Sequence, residues 1–293
     1  MEKLAILIPV HNALKYTNEA LVNLKSEITG SNWSLNETIY IVVIDDGSTD
    51  GTATWIKEHH PDTELCYGDG NLWWSGAINA GAKHAFNGLN CTHVLLWNND
   101  ILTGPDYFSN LYKIIQNGNT SSVFGSKIYV KNENLIWFMG GIFSPCSGQK
   151  WMIGHKLPDS EKFNQITECD WLTGMGTVVH KSVIEKIGYW DQENFPQYHG
   201  DSDFTFRAKK EGFKLIVYPS LKIFNDITHT GVYHNRTFKS LKNSLKSIKS
   251  DFNLSKDILF YRKHSTCFIA YWSLFVKYFR YIGGFIKQKY FSF

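Results

Sequence analysis

Short, continuous runs of apolar residues restrict the fold of this chain most strongly. Residues 4–10 read Leu-Ala-Ile-Leu-Ile-Pro-Val, and residues 38–44 form a second run that is rich in β-branched side chains. Such runs are too short to span a membrane and are typical of parallel strands buried on both faces. A helical pattern follows each run, so the chain begins strand–helix–strand–helix. This order predicts an α/β fold with a mostly parallel central sheet flanked by helices.

Polar residues stand directly after these apolar runs, where parallel strands should end. A third run, residues 63–67, leads into a Gly-rich stretch, and a fourth, residues 92–97, stops at two amides and a carboxylate. In open α/β sheets, ligands bind in the crevice beyond the carboxyl ends of the strands. Three polar stretches are therefore predicted to meet at one edge of the sheet: Asp45-Asp46, residues 68–76, and Asn98-Asn99-Asp100.

The last of these stretches has the chemistry of a metal site. Carboxylate and amide oxygens at the end of a buried strand suit Mg²⁺ or Mn²⁺ together with a phosphate. The Gly-rich stretch opens a helix of small residues, whose first amides favour an anion such as a diphosphate. It is not a P-loop, because no Gly-Lys-Ser/Thr follows. Ordinary polar turns, one of them anchored by Trp73 and Trp74, are the alternative interpretation.

A second pair of carboxylates opens a helix that is predicted to run to about residue 211. Asp201 is close to the helix start, where a carboxylate can accept hydrogen bonds from free amides. Asp203 and Arg207 are four residues apart and are placed to pair on the helix surface. This segment is a candidate source of a general base that takes a proton from a substrate hydroxyl.

The charge of the chain is divided between an acidic body and a basic tail. Residues 236–293 contain 12 Lys and Arg and two Asp, a net charge of +10, whereas residues 1–235 carry −7. Residues 237–252 repeat apolar side chains at helical spacing, with lysines opposite, which predicts a basic amphipathic helix. Residues 267–276 are almost entirely apolar but too few to cross a bilayer. We predict a tail that lies on an anionic membrane surface. Packing on the body or on another subunit is the alternative, and nucleic acid is not an expected partner.

The cysteines and the amino terminus indicate the cellular compartment in which the protein is expected. None of the five cysteines forms a Cys-x-x-Cys pair, which favours free thiols in a reducing compartment over a disulfide framework. The first three residues run straight into an apolar strand, without the pattern of a signal peptide. Together with the tail, these features predict a cytoplasmic protein associated peripherally with the inner face of the plasma membrane.

Five motifs, in their order and spacing, carry a resemblance to a known family. They span roughly residues 4–231: Ile-Pro-Val-His-Asn at 8–12, Val-Ile-Asp-Asp-Gly-Ser-Thr-Asp at 43–50, Gly-Asn-Leu-Trp-Trp-Ser-Gly at 70–76, Trp-Asn-Asn-Asp at 97–100, and Gly-Asp-Ser-Asp-Phe-Thr-Phe-Arg at 200–207. With these motifs the sequence resembles family 2 glycosyltransferases with the GT-A fold, in particular the rhamnosyltransferase-like members of bacterial polysaccharide synthesis.

The resemblance implies an inverting, metal-dependent sugar transfer from a nucleotide-diphosphate donor, dTDP-rhamnose or a UDP-sugar. The acceptor would be a hydroxyl of a glycan or lipid-linked glycan, in cell-surface polysaccharide or O-antigen synthesis. It also implies a GT-A domain over residues 1–235, followed by the helical tail, 236–293. Within that domain, residues 1–104 would bind the nucleotide-sugar, and residues 105–235 would bind the acceptor and supply the catalytic base.

The family's functional residues carry over to matching positions. The residues implied to bind the nucleotide or donor are Pro9, Val10, His11, Asp46, Asn71, Trp74, Asn98 and Asn99. Asp100 would bind Mg²⁺ or Mn²⁺, with His229 a candidate further ligand. Asp201 would be the catalytic base, with Asp203 as the alternative.

Two positions depart from the family pattern. Asn98 stands where the metal motif has its first Asp, which leaves Asp100 as the charged ligand. Gly200 replaces a Glu before the catalytic base. These departures keep open a non-catalytic, membrane-associated protein that binds a sugar or a partner. A sugar nucleotidyltransferase is a further alternative, although the basic Gly-rich loop of that class is lacking near residues 11–14.

Overall fold

The computed structural model describes residues 2–118, 122–226 and 237–290. Within these residues, helices cover a central sheet and a helical tail follows it. The strands are β1 (Leu4–Val10), β2 (Ile39–Asp45), β3 (Glu64–Tyr67), β4 (His93–Leu96), β5 (Ile101–Thr103), β6 (Ser122–Val130), β7 (Ile136–Phe138), β8 (Gly141–Phe143), β9 (Lys150–Met152), β10 (Thr167–Glu168), β11 (Thr177–His180) and β12 (Lys214–Asn225). The α-helices are α1 (Leu14–Thr29), α2 (Thr52–His59), α3 (Trp73–Lys83), α4 (Tyr107–Gln116), α5 (Lys181–Ile187), α6 (Gly200–Lys210), α7 (Phe238–Lys246), α8 (Leu254–His264) and α9 (Ala270–Tyr290).

Parallel pairing joins the strands of the first half of the chain. β1 lies between β2 and β4, and β3 extends the sheet beyond β2. β11 enters antiparallel between β4 and β6, and β6 pairs in parallel with β12. The order across the sheet is β10-β12-β6-β11-β4-β1-β2-β3. The carboxyl ends of β1, β2 and β4 therefore lie side by side, as the sequence predicts.

Burial of β1 explains its unbroken apolar sequence. The first five residues of β1 have no exposed surface, and each buried aliphatic side chain contributes roughly 1.5–3 kcal/mol. α3 packs across β1 and β2. Gly81 makes this close approach possible, because a Cβ there would lie 2.7 Å from Cδ1 of Ile44.

Some features of the second half do not follow from local sequence patterns. β12 is one strand from Lys214 to Asn225, and its pairing with β6 slips between Tyr218 and Lys222. β8 and β9 form a separate hairpin. The helix predicted over 237–252 ends at Lys246. His229 lies outside the described residues.

The tail is fastened to α6 through the carboxylate of Asp203, which has no exposed surface. Its Oδ2 accepts a hydrogen bond from Nε of Arg207 at 2.9 Å, the predicted pair within α6. Its Oδ1 lies 2.7 Å from Nζ of Lys263 and 2.8 Å from Nε2 of His264, both at the end of α8. Burial would raise the pKa of Asp203, but the bonds from His264 and Lys263 outweigh it and lower the pKa to about 2.

A second buried carboxylate, Asp257 of α8, makes the reciprocal connection. Its Oδ1 lies 2.8 Å from Nε2 of His199, the residue that precedes α6. Its Oδ2 accepts hydrogen bonds from Lys277 at 2.6 Å and from the Tyr278 hydroxyl at 2.7 Å, both in α9. Burial opposes ionisation of Asp257, yet the His199 hydrogen bond and the Lys277 charge lower its pKa to about 2. The tail therefore packs on the body, which was the alternative interpretation of its sequence.

A disulfide also joins the tail to the body, so the prediction that all thiols are free is wrong. Cys146, in the turn of the β8–β9 hairpin, is bonded to Cys267, which precedes α9. Cys66, Cys91 and Cys169 are free. The two bonded residues are 121 positions apart, which is why their sequence spacing gives no sign of the pairing. The disulfide removes one support for a reducing compartment.

One face of α9 remains exposed and apolar. Trp272, Phe275 and Phe279 are 65%, 56% and 68% exposed, and their rings stack in succession. Ile286 and Tyr290 continue this face, which we call the apolar stripe. Across residues 2–118, 122–226 and 237–290, no helix is long and apolar enough to cross a membrane.

The buried position of Asp257 predicts a pH-dependent contribution to stability. Asp257→Asn should lower the free energy of unfolding by about 3 kcal/mol near neutral pH, because Lys277 and His199 lose the buried negative charge and one of the two oxygens that they contact. The folded pKa of about 2 lies below the usual 3.8. The contribution is therefore complete above about pH 4 and is lost as the pH falls through 2.

Urea denaturation near neutral pH and at about pH 3 measures this effect. The difference between wild type and Asp257→Asn should shrink at the lower pH. Asp62→Asn is the matched control, since Asp62 pairs with Lys25 at the surface and should contribute at most about 1 kcal/mol. A loss no larger than that of the control would contradict the role of Asp257.

Candidate functional site

A cleft of about 650 Å³ opens at the carboxyl ends of the parallel strands. Residues from four predicted motifs meet there, together with residues from outside them. The lining is Pro9, Val10, His11, Asp46, Gly70, Trp73, Trp74, Ala77, Asn98, Asn99, Asp100, Gln197, Tyr198 and Lys249. The predicted edge of the sheet is thus a single cavity, which we call the donor cleft.

Asp46 fixes the Gly-rich loop that forms one wall of the donor cleft. Its Oδ1 accepts a hydrogen bond from the Gly70 amide at 2.8 Å, and its Oδ2 accepts one from the Trp73 amide at 3.0 Å. Gly68 permits the contact, since a Cβ there would collide with Oδ1 of Asp46. Asp46 is 7% exposed. Its carboxylate therefore holds the loop in place, and only a small part of the residue is accessible to a ligand.

The start of α3 differs from its predicted role as an anion site. Its first three amides already have protein acceptors: Trp73 donates to Asp46, Trp74 to Oε1 of Gln197 at 3.2 Å, and Ser75 to the Pro196 carbonyl at 2.8 Å. The amides of Trp74 and Ser75 thereby fasten the loop before α6 to α3. A diphosphate would have to find its positive partners elsewhere.

The strand-end motif lies half-buried in the donor cleft. Asn99 donates from Nδ2 to the Thr17 hydroxyl at 3.2 Å, and its Oδ1 is the amide atom that could serve as a ligand. Asn98 and Asp100 lie beside it in the lining. The set of a carboxylate and amide oxygens is a hard-oxygen donor set that fits Mg²⁺ or Mn²⁺.

Two other residues predicted to contact the donor have different positions. His11 lines the donor cleft, and its Nδ1 lies 2.6 Å from the carbonyl oxygen of Asp46, which orients the ring. Asn71 is exposed and lies outside the lining of the donor cleft. That placement does not support the donor contact predicted for Asn71.

Lys249, in the tail between α7 and α8, is a cleft residue that the sequence motifs do not include. Its Nζ lies 5.7 Å from the ring centroid of Trp73. The concentration of positive charge in the tail was the only signal available for it. Gln197 and Tyr198 were also missed, although they immediately precede the 200–207 motif.

Asp201 is connected to the donor cleft through Gly174 and Trp74. The Gly174 amide donates to Oδ2 of Asp201 at 3.0 Å. Gly174 packs closely on the ring of Trp74, since a Cβ at Gly174 would lie 2.2 Å from Cζ2 of that ring. Trp74 lines the donor cleft, and Asp201, which is half-buried, does not.

The glycine at position 200 has a packing explanation. A Cβ there would collide with Oγ of Ser75, which is buried and donates to the Phe195 carbonyl at 2.6 Å. α6 thus begins in direct contact with the start of α3. A glutamate at this position would require the two helices to separate.

The chain belongs to glycosyl transferase family 2, whose model matches residues 5–188, more than half of the sequence. Membership of this family favours a glycosyltransferase over the nucleotidyltransferase alternative. The matched range contains the donor-cleft motifs up to Asp100 and ends before Asp201. No curated protein gives a significant match to the chain.

Solved structures confirm the GT-A fold. A mannosyltransferase from Pyrobaculum calidifontis, in complex with GDP-Man and Mn²⁺, aligns with a TM-score of 0.55 at 16% identity, over 78% of this chain and 58% of its own. S. aureus TarS 1–349 with UDP-GlcNAc gives 0.54 at 17% identity, over 79% and 60%. GalNAc-T7 with UDP, GalNAc and Mn²⁺ gives 0.59 at 12% identity, over 97% and 58%. The chain spans less than two thirds of each of these proteins.

Proposed function

We propose that this glycosyltransferase transfers a sugar, with inversion, from a nucleotide-diphosphate donor to a hydroxyl of a glycan acceptor. The proposal rests mainly on one observation: Gly174, whose amide donates to Asp201, packs on the Trp74 ring that lines the donor cleft. Relatives in complex with GDP-Man or UDP-GlcNAc support a nucleotide-sugar donor. Among such donors, dTDP-rhamnose and the UDP-sugars are our candidates, and cell-surface polysaccharide is the proposed product.

Asp201 is the proposed base. Its Oδ2 is oriented by the Gly174 amide, and it would accept the proton of the acceptor hydroxyl as that oxygen attacks the anomeric carbon. The sugar would then lie near Trp74, and the nucleotide would leave on the side of the donor cleft. Asp203 does not suit this role, since it is fully buried and already bonded to Arg207, Lys263 and His264.

A divalent cation is the proposed cofactor, held mainly by Asp100 with help from the oxygen of Asn98. Structures of two relatives with Mn²⁺ support the requirement. When bound, such a cation neutralises charge on the donor diphosphate. Lys249 supplies further positive charge from the tail, which matters because the amides that begin α3 are occupied by protein acceptors.

We further propose that the tail associates with an anionic membrane surface. The apolar stripe of α9 is too extensive to be scattered surface residues and marks an interaction site. Lysine and arginine side chains border it along α9, as in helices that lie in a membrane interface. A lipid-linked glycan is therefore a suitable acceptor.

Replacement of the base should separate binding from transfer. Asp201→Asn is expected to bind nucleoside diphosphate normally but to lose transfer by a factor of about 10² or more. Sugar transfer can be followed as released nucleotide in a screen of dTDP- and UDP-sugars. Asp203→Asn should instead lower the thermal stability. A fully active Asp201→Asn variant would refute the assignment of the base.

Removal of the metal should abolish turnover. Exhaustive chelation is expected to stop nucleotide release, and Mn²⁺ or Mg²⁺ should restore it. Asp100→Asn should raise the metal concentration that gives half-maximal activity by about tenfold or more, because the charged ligand is lost. The control, Asp62→Asn, should behave as wild type. Unchanged activity after chelation would show that the reaction needs no divalent cation.

Lys249 should contribute to diphosphate affinity and not to recognition of the base. Lys249→Met is expected to weaken binding of UDP or dTDP by about tenfold, with the corresponding nucleoside bound as in wild type. Titration calorimetry with both members of each pair measures the difference. Equal losses for nucleoside and nucleoside diphosphate would point to a change in the shape of the cleft.

A further inference from the structure

A second groove, of about 1280 Å³, lies between the β8–β9 hairpin and helices α8 and α9. We call it the tail groove. Its walls combine aromatic rings with positive charges, and the residues that matter here are Lys150, Trp151, Trp171, Trp272, Lys277 and Arg280. It is about twice the volume of the donor cleft, and no step described above uses it.

The tail groove borders the proposed base. His199, two residues before Asp201, belongs to its lining, as does Lys150. Although Lys150 is an exposed residue, its ammonium group is enclosed by aromatic side chains, 3.9 Å from the ring centroid of Trp171. This enclosure lowers the pKa of Lys150 to about 8, and the Asp201 carboxylate acts on it in the opposite direction. Lys150 and Asp201 are therefore electrostatic neighbours.

The groove carries positive charge that its own acids do not neutralise. Its acidic lining residues are Asp251 and Asp257, and Asp257 is already bonded to His199, Lys277 and Tyr278. Among the described residues, neither Lys150 nor Arg280 forms an ion pair with a carboxylate. Two cations directed at one groove favour an anionic ligand, and a phosphate is the common biological choice.

Exposed aromatic rings accompany these charges. Trp151 is 48% exposed and Trp272 is 65% exposed at the rim of the groove. Flat, amphipathic rings of this kind suit the apolar face of a sugar. Trp272 also begins the apolar stripe, which continues through Phe275 and Phe279. The cationic and aromatic interior of the groove is thus continuous with the apolar stripe, which can contact a hydrocarbon chain.

The walls of the groove are held in place by bonds between hairpin and tail. The Tyr261 hydroxyl donates to the Gly148 carbonyl at 2.8 Å, and the Ser273 hydroxyl donates to the Ser147 carbonyl at 2.6 Å. The disulfide adds a covalent connection at the same turn. A preformed groove loses little conformational entropy when it binds a ligand.

We propose that the tail groove is the acceptor site, and that it takes an acceptor in which a phosphate joins a sugar to a hydrocarbon chain. The phosphate lies between Lys150 and Arg280, the sugar on the exposed tryptophan rings with its hydroxyl toward Asp201, and the hydrocarbon along the apolar stripe. The need for an acceptor rests on the proposed function. The argument that the groove binds such a molecule does not rest on that function.

Geranyl diphosphate is a suitable probe, with geraniol as its neutral match, in metal-free buffer that contains a chelator. The full chain should bind geranyl diphosphate, and the double variant Lys150→Met/Arg280→Gln should bind it at least about tenfold more weakly. Lys181→Met, on exposed α5, is the matched control and should bind as wild type. The three proteins should have the same affinity for geraniol.

Two results would overturn the proposal. One is equal affinity of the double variant and wild type for geranyl diphosphate. The other is an equal loss of affinity in Lys249→Met, which would place the probe in the donor cleft. Retained binding of UDP or dTDP with Mn²⁺ by the double variant shows that it is folded. If wild type binds geranyl diphosphate but no nucleoside diphosphate, the proposed donor is wrong and the groove stands.

Vesicles of phosphatidylcholine and phosphatidylglycerol distinguish an acceptor phosphate from lipid headgroups. The double variant should sediment with these vesicles as wild type does, whereas Phe275→Ser/Phe279→Ser should be released. If the double variant is released from the vesicles but keeps its affinity for geranyl diphosphate, Lys150 and Arg280 serve the membrane surface. That result would also overturn the proposal.

Discussion

Two buried carboxylates determine how the second half of this protein is assembled. Asp203 in α6 is bonded to the end of α8, and Asp257 in α8 is bonded to the residue that precedes α6 and to α9. Each carboxylate is ionised in a nearly dry environment, so neither tolerates the loss of its partners. The first turn of the helix that carries Asp201 is therefore held by the tail, and the position of the proposed base depends on the tail.

Electrostatics in the donor cleft follow from a related constraint. Docking of α3 against the loop before α6 uses the backbone amides that a helix start would normally offer to an anion. The same contacts require glycine at position 200 and align Trp74 beside Asp201. The first amides of α3 therefore connect the two halves of the cleft and are not free to bind a phosphate. Positive charge for a bound diphosphate would come from Lys249 and from the cation proposed at Asp100.

Local sequence patterns were sufficient to predict the structure where it depends on residues that are close in the chain. β1 has its predicted bounds, because it is a buried apolar run. The Asp203–Arg207 pair follows from helical spacing. The motifs at the strand ends meet because parallel pairing brings them together.

What escaped prediction depends on partners far apart in the chain. Lys263 and His264 are about sixty positions from Asp203, and no periodicity connects them. Lys249 reaches the donor cleft only because α7 and α8 fold back over the body, and the occupied amides of α3 depend on a loop more than a hundred residues later. The disulfide and the tail groove likewise arise from contacts between the β8–β9 hairpin and the tail. Fold and motif positions were accessible from the sequence, whereas the electrostatic environment of the site was not.

The dependence of α6 on the tail has a consequence for synthesis of the protein. A ribosome completes the donor cleft strands and the helix that carries Asp201 well before it adds α8 and α9. Until those helices emerge, Asp203 lacks two of its three partners, and His199 lacks its contact with Asp257. A nascent chain can therefore complete the parallel strands of the sheet before the first turn of α6 has its support. The donor cleft itself is completed only when the tail brings Lys249 to its lining.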